Sequence, residues 1–162
     1  MLFAADEFRQ LIVRDTLRSI DEWAPVHENL LLGTAAQESS MGQSLKCGRL
    51  LGIYHISPNT HRAVWDKYLL HHPELASRVR GLAGQHSFIR DPHGELISNL
   101  KYATAIAWLI YRRAEQALPA DDDVPGLARY WHRYFRSKAS ASIAEFITSY
   151  QRYIVDKQEL AA

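Results

Sequence analysis

Glu38 is the residue of this sequence whose surroundings best suit acid–base chemistry. It follows a mostly apolar run, residues 30–36 (Leu-Leu-Leu-Gly-Thr-Ala-Ala), which predicts a buried helix. Burial and the partial negative charge of a helix C-terminus both disfavour a carboxylate, so this setting predicts a raised pKa for Glu38. A carboxyl group that keeps its proton near neutral pH can protonate a leaving oxygen, as cleavage of a glycosidic bond requires. A glutamate at a helix end is more often a solvated surface residue, so its position alone assigns no role.

Other ionisable residues offer weaker patterns. Asp66, Asp91 and Glu95 are the candidates for a second carboxylate, and Asp66 is expected on a solvated helix face. His61 and the pair at 71–72 are not spaced as metal ligands, because adjacent histidines on a helix point in different directions. We therefore expect neither a metal site nor a cofactor.

The elements that would position Glu38 are predominantly helical. Periodic apolar residues predict helices over residues 5–20 and 124–135, and also over 143–155. Pro25 predicts the start of the helix that ends near Glu38, and Ser57-Pro58 predicts the start of another, over residues 58–70. A further helix is expected from Pro73, closed by Gly81 and Gly84, and a long one over residues 95–117. Residues 51–56 (Leu-Gly-Ile-Tyr-His-Ile) predict a small strand or hairpin.

Composition and charge narrow the class of protein. The 162 residues are 47% hydrophobic, which is enough for a core, and we expect a single domain over residues 1–162. A formal net charge of +1 disfavours a strong nonspecific nucleic-acid binder. Cys47 is the only cysteine, which fits folding in a reducing cytoplasm. The N-terminus lacks a signal-peptide pattern, and no apolar run is long enough to predict a membrane span.

The order of several short motifs resembles the soluble lytic transglycosylases of the lysozyme superfamily. Residues 38–42 (Glu-Ser-Ser-Met-Gly) resemble the Glu-Ser motif of that family, and residues 52–60 (Gly-Ile-Tyr-His-Ile-Ser-Pro-Asn-Thr) resemble its Gly-Leu-Met-Gln-Leu/Ile-x-Pro-x-Thr motif. Residues 99–103 (Asn-Leu-Lys-Tyr-Ala) are similar to the family's Asn-Ile-x-x-Gly/Ala helix start. Residues 128–135 occupy the place of its late Tyr-Asn motif. The resemblance spans about residues 25–136 and is strongest to short bacteriophage members.

Two positions depart from the family pattern. His55 stands where the family usually has Gln, and neutral His can also donate one hydrogen bond and accept another. Phe135 follows Tyr134 where the family has Asn, and its ring can do neither. The second departure leaves open a noncatalytic role for the same fold.

The resemblance implies a lysozyme-like, mainly α domain with at most a small β-hairpin beside the active-site cleft. It implies that Glu38 alone acts as acid and then base at the β-1,4 bond between N-acetylmuramic acid and N-acetylglucosamine. An anhydro-sugar product is then favoured over hydrolysis, since no second carboxylate is needed. It also implies a protein made in a host cytoplasm that reaches the cell wall in a virion or through a membrane lesion. The partners would be peptidoglycan strands and, for a virion protein, other virion components. An inactive structural or wall-binding phage protein is the alternative.

The same resemblance suggests which residues line the cleft. For Ser39, substrate contact and helix capping are both open, and for Tyr134 both cleft and core are open. Trp108, Tyr111 and Trp131 are expected in the core, because long helices bury such side chains. The full set of predicted substrate-binding residues is Ser39, Tyr54, His55, Ile56, Asn99 and Tyr134.

Overall fold

The computed structural model describes residues 3–157, which are mainly helical and include a small antiparallel sheet. Three helices contain wider or tighter turns: α1 (residues 5–19: Ala5–Glu7, Phe8–Arg14, Asp15–Ser19), α3 (58–71: Pro58–Ala63, Val64–Tyr68, Leu69–His71) and α9 (143–155: Ile143–Tyr150, Gln151–Val155). The other helices are α2 (Pro25–Ser39), α4 (Pro73–Leu82), α5 (Gln85–Arg90), α6 (Glu95–Ser98), α7 (Leu100–Arg112) and α8 (Val124–Tyr134). A short 3₁₀ turn, Pro92–Gly94, precedes α6.

Helix α2 lies at the centre of the core. Pro25 occupies its first turn, where the missing N–H costs nothing, and residues 30–36 are all buried. Gly33 allows α9 to approach closely, since a Cβ there would lie 2.3 Å from the Phe146 ring. The predicted buried helix leading to Glu38 is therefore confirmed.

The hairpin lies earlier in the chain than predicted. Strand β1 (Lys46–Cys47) pairs with β2 (Leu50–Leu51), and residues 52–55 form a turn that Leu51 and Ile56 close with two backbone hydrogen bonds of 3.0 Å. The turn contains two residues with left-handed backbone, Gly52 at φ +78° and His55 at φ +50°. Such residues interrupt a strand, so the hydrophobic run of 51–56 does not become one.

The prediction of one long helix over residues 95–117 is wrong in two respects: the helix is interrupted, and it ends earlier. Asn99 has extended backbone, φ −117° and ψ 94°, and its side chain accepts a hydrogen bond from the Tyr102 N–H, so α6 ends and α7 begins there. Helix α7 ends at Arg112, five residues earlier than predicted. Asparagine is a strong N-cap residue, and here the cap prevails over the apolar periodicity.

Local capping explains where α3 and α9 begin. The Ser57 hydroxyl accepts from the Thr60 N–H at 3.1 Å, as the Ser-Pro pair predicted. Ser142 and Glu145 form a capping box that starts α9. Residues 135–142, here called the 135–142 segment, connect α8 to α9 without regular structure, and Arg136 donates to the Ala139 carbonyl at 2.7 Å within it.

The buried apolar side chains form one cluster to which most of the helices contribute. Its largest members are aromatic and include Trp131, Tyr54, Tyr102 and Tyr111. Within residues 3–157, no helix combines the length and the apolar character that crossing a membrane requires.

Candidate functional site

Glu38 lies in the last turn of α2, where the chain reverses sharply. Ser40 and Met41 both have left-handed backbone, at φ +53° and +57°. The Ser39 hydroxyl is buried; it donates to the Ala35 carbonyl and accepts from the Gly42 N–H at 2.9 Å. The structure thus uses Ser39 as a cap that fixes the reversal, which is the capping alternative of the two left open by the sequence.

The Glu38 carboxyl group is held by two residues that are distant in sequence. Its Oε1 accepts a hydrogen bond from Trp131 Nε1 at 3.0 Å and another from the Ser137 backbone N–H at 3.3 Å. Its Oε2 is hydrogen-bonded to the Ser137 hydroxyl. Helix α8 and the 135–142 segment therefore fix the orientation of the carboxyl plane.

Burial raises the pKa of Glu38 above its usual range. Hydrogen bonds from Ser137 and Trp131 and the positive charge of Lys138 act in the opposite direction, because they stabilise the carboxylate, but burial is the larger effect. A raised pKa increases the protonated fraction near neutral pH. This is the state that a general acid needs.

Glu38 lines a cleft of about 530 Å³. The C-terminal end of α2 forms one wall, and the 135–142 segment with α9 forms the other. The side chains around Glu38 are Gln37, Lys138, Ser140, Ala141, Ala144, Glu145, Thr148 and Ser149. The lining combines polar and apolar surface, and a cleft of this size can admit a small ligand.

Glu145 is a second carboxylate in that cleft, which the sequence did not indicate. It is exposed, and its Oε2 accepts from the Ser142 backbone N–H at 2.7 Å within the capping box. Glu145 is the N3 residue of α9, and its bond to Ser142 fixes where its side chain lies. The cap gives Glu145 a structural role that does not depend on chemistry in the cleft.

Another cleft of about 530 Å³ lies away from Glu38, between the end of α1 and the start of α4. Its lining includes Glu22 and Arg112, which pair with each other at 2.5 Å. Asp21, Glu74 and Arg78 also line this cleft. We place the candidate site at Glu38 because its carboxyl group is oriented by hydrogen bonds and has a raised pKa.

His55 and Ile56 lie close to the site, beside a smaller cavity of about 150 Å³ that Phe135 and Ser137 also line. His55 Nε2 is 2.8 Å from the Ser44 carbonyl oxygen, and since a carbonyl can only accept, Nε2 bears the hydrogen. Nδ1 is then a buried acceptor without a partner in the described part of the chain. Burial and the charge of Lys138 lower the pKa of His55, which favours the neutral ring.

Tyr54 and Asn99 are not placed at the cleft. Tyr54 is fully buried, and its hydroxyl bonds with the Thr104 hydroxyl at 2.9 Å. The Asn99 amide donates to the Leu82 carbonyl and to Glu95, both at 2.8 Å, and its oxygen caps α7. Both predicted sugar contacts are corrected to structural roles, because each side chain satisfies a buried polar neighbour instead.

The last predicted aromatic, Tyr134, faces a different cavity from Glu38. That cavity, of about 440 Å³, is lined by Lys67, Tyr68 and Arg113 among others. The Tyr134 ring lies 4.7 Å from that of Tyr130. Phe135, next along the chain, stacks on the buried Tyr111 ring at 5.1 Å, so it contributes packing where an amide would offer hydrogen bonds.

The histidines considered as metal ligands do not form a metal-binding cluster within residues 3–157. His61 is buried, and its two nitrogens bond with the Tyr102 hydroxyl at 2.6 Å and with His93 at 2.8 Å. Asp66 is exposed on α3, as predicted. Among residues 3–157, no three His, Cys, Asp or Glu side chains come together as a metal site.

Comparisons with known proteins give no relatives. No protein-family model, no curated protein and no solved structure matches this chain.

Besides Glu145, the sequence did not identify Trp131 and Ser137, the two residues that hold the Glu38 carboxyl group. Trp131 is buried, as expected, but its indole N–H reaches Glu38 over a sequence separation of 93 residues, and Ser137 does so over a separation of 99. The nearest signal was the late Tyr-Phe motif at 134–135, because Ser137 follows it by two residues.

Proposed function

We propose that this protein cleaves peptidoglycan at the β-1,4 bond between N-acetylmuramic acid and N-acetylglucosamine, as a lytic transglycosylase or muramidase. Glu38 is its acid and base, and the fold is lysozyme-like. The motif order supports a phage-encoded enzyme, made in the host cytoplasm and acting on the wall as an endolysin or from the virion. No metal or cofactor takes part.

The observation on which this proposal rests is the environment of the Glu38 carboxyl group. It is a half-buried acid with a raised pKa, oriented by three hydrogen bonds, at the wall of a cleft. General acids for glycosidic cleavage need each of these properties: a proton at neutral pH, a fixed direction and access to substrate.

The chemistry we favour uses Glu38 alone. The protonated carboxyl group gives its proton to the glycosidic oxygen, while the amide of the substrate assists at the anomeric carbon. The resulting carboxylate then takes the proton of the sugar's C6 hydroxyl, which closes a 1,6-anhydro ring. Glu145 is the competing choice for a second carboxylate, but its oxygen is engaged in capping α9.

Matched glutamine variants test this assignment. Glu38→Gln should abolish clearing of cell-wall preparations, whereas Glu145→Gln should retain it, since glutamine also suits the N3 position of a capping box. Clearing by Glu38→Gln at the wild-type rate would refute the role of Glu38. Loss of activity in Glu145→Gln, with reducing-end products from the wild type, would instead indicate hydrolysis by two carboxylates.

One observation favours the noncatalytic alternative. Phe135 packs on Tyr111 and lines the small cavity beside the site, where the resembling family has an amide. A structural or wall-binding protein should release no muropeptides at any pH yet still sediment with purified cell walls. Turnover by the wild-type protein would eliminate this alternative.

A further inference from the structure

The two oxygens of Glu38 differ in how fully they are used. Oε1 accepts two N–H groups, from Trp131 and from the Ser137 backbone, which fills its usual acceptor sites. Neither N–H can accept a proton in return. When the carboxyl group is protonated, the hydrogen must therefore sit on Oε2.

The partner of Oε2 is the Ser137 side chain, and a hydroxyl group both donates and accepts. Beside ionised Glu38, the Ser137 hydroxyl donates to Oε2. Beside the protonated acid, it can rotate about its C–O bond and accept from Oε2–H. The same contact thus survives in both charge states, which Trp131 cannot achieve because an indole N–H only donates.

We propose that Ser137 is a positioning residue whose hydroxyl reverses its hydrogen bond as Glu38 changes from acid to base. The role of Ser137 in turnover rests on the proposed function. The effect of Ser137 on the protonation of Glu38 does not depend on that function. Oε2 loses its proton to the leaving oxygen, and the Ser137 O–H turns to donate to the new carboxylate. When Oε2 regains a proton from the attacking hydroxyl group, Ser137 turns back. Ser137 gains and loses no proton, and Glu38 ends each turnover as it began.

The segment that bears Ser137 supports this role. Arg136 is tied to the Ala139 carbonyl at 2.7 Å, which holds the backbone on either side of Ser137. The Ser137 backbone N–H and hydroxyl bind opposite oxygens of one carboxyl group. A side-chain hydroxyl with its backbone anchored in this way can rotate without moving away from Oε2.

The test compares Ser137→Ala, which removes the hydroxyl, with Ser137→Thr, which keeps it. Ser98→Ala is the matched control, since Ser98 is exposed at the end of α6 and its hydroxyl donates to the carbonyl of Gly94, just before that helix. In Ser137→Ala we expect kcat to fall about tenfold or more with little change in KM, because one charge-assisted hydrogen bond is lost in the ionised state. Ser137→Thr should recover most of the loss.

A second readout does not require activity. Carbon-13 NMR of the Glu38 carboxyl group should show a higher pKa in Ser137→Ala than in the wild type, because the lost donor stabilised the carboxylate. The limb of the pH profile on which kcat/KM falls with rising pH should move the same way. A Glu38 titration and kcat unchanged in Ser137→Ala would overturn the inference. If the wild type releases no muropeptides, the proposed function fails, and the NMR titration alone decides for or against Ser137.

Discussion

Replacing Trp131 with Phe tests how the site tunes its acid. The indole is fully buried, its ring lies 5.3 Å from that of Phe146, and its Nε1–H donates to Glu38 Oε1 at 3.0 Å. Phenylalanine retains an aromatic ring in the core but has no donor. The change therefore removes one hydrogen bond from the carboxyl group and leaves a small cavity.

The free-energy contribution of the Trp131–Glu38 hydrogen bond can be estimated. Bonds to charged groups contribute about 1.5–3 kcal/mol, and we take the lower end because Glu38 is partly exposed to solvent. If the variant destabilises only the ionised form of Glu38, by about 1.4 kcal/mol, any step in which Glu38 becomes ionised should slow by about tenfold. The smaller ring should also reduce the free energy of unfolding by about 1–3 kcal/mol.

Trp108→Phe is the matched control. Trp108 is also buried and stacks on His27 at 3.8 Å, but its Nε1–H has no acceptor within residues 3–157. Both variants should lose stability in thermal melts. Muropeptide release measured from acid to alkaline pH should separate them. Only Trp131→Phe should lose about tenfold in kcat, with the falling alkaline limb displaced to higher pH, since a lost donor raises the pKa of Glu38. Identical pH profiles for the two variants would refute the reasoning.

Two further predictions concern stability. Gly52→Ala should lower the melting temperature strongly, because φ is +78° and the new Cβ would lie 1.9 Å from the Leu96 carbonyl oxygen. Gly48→Ala is the control. Gly48 has φ +58° but open space around it, so this variant should lower the melting temperature less. Glu38→Gln should be more stable than the wild type at neutral pH. A raised folded pKa means that the contribution of Glu38 is fully present below the unfolded pKa and is lost as pH rises through the folded one. The melting-temperature difference should therefore grow as pH rises above about 4, and a constant difference would contradict the raised pKa.

Much of the fold was predictable because it depends on local signals. The proline at the start of α2 and the Ser-Pro pair before α3 fix helix starts through backbone geometry alone. The break at Asn99 and the turn over 52–55 were missed for a physical reason. At Asn99 a helix cap overrides an apolar pattern that continues past it. In residues 52–55, left-handed backbone does the same.

The site was predictable only in part. Glu38 could be selected because its helix is buried nearly all round, and that property is visible in sequence. Trp131 and Ser137 could not be assigned to it, because contacts over more than 90 positions depend on how α8 and the 135–142 segment pack against α2. Tyr54 was misplaced for the converse reason: its aromatic ring suits a sugar equally well, but Thr104 offers its hydroxyl a buried partner.

Mass analysis of the muropeptides released from purified peptidoglycan tests the central claim most directly. Wild-type protein and Glu38→Gln should be compared at equal concentration, with folding of both verified by circular dichroism. The single-carboxylate account predicts 1,6-anhydro-muropeptides from the wild type and none from Glu38→Gln. Absence of release by the wild type at every pH, or equal release by Glu38→Gln, would contradict it.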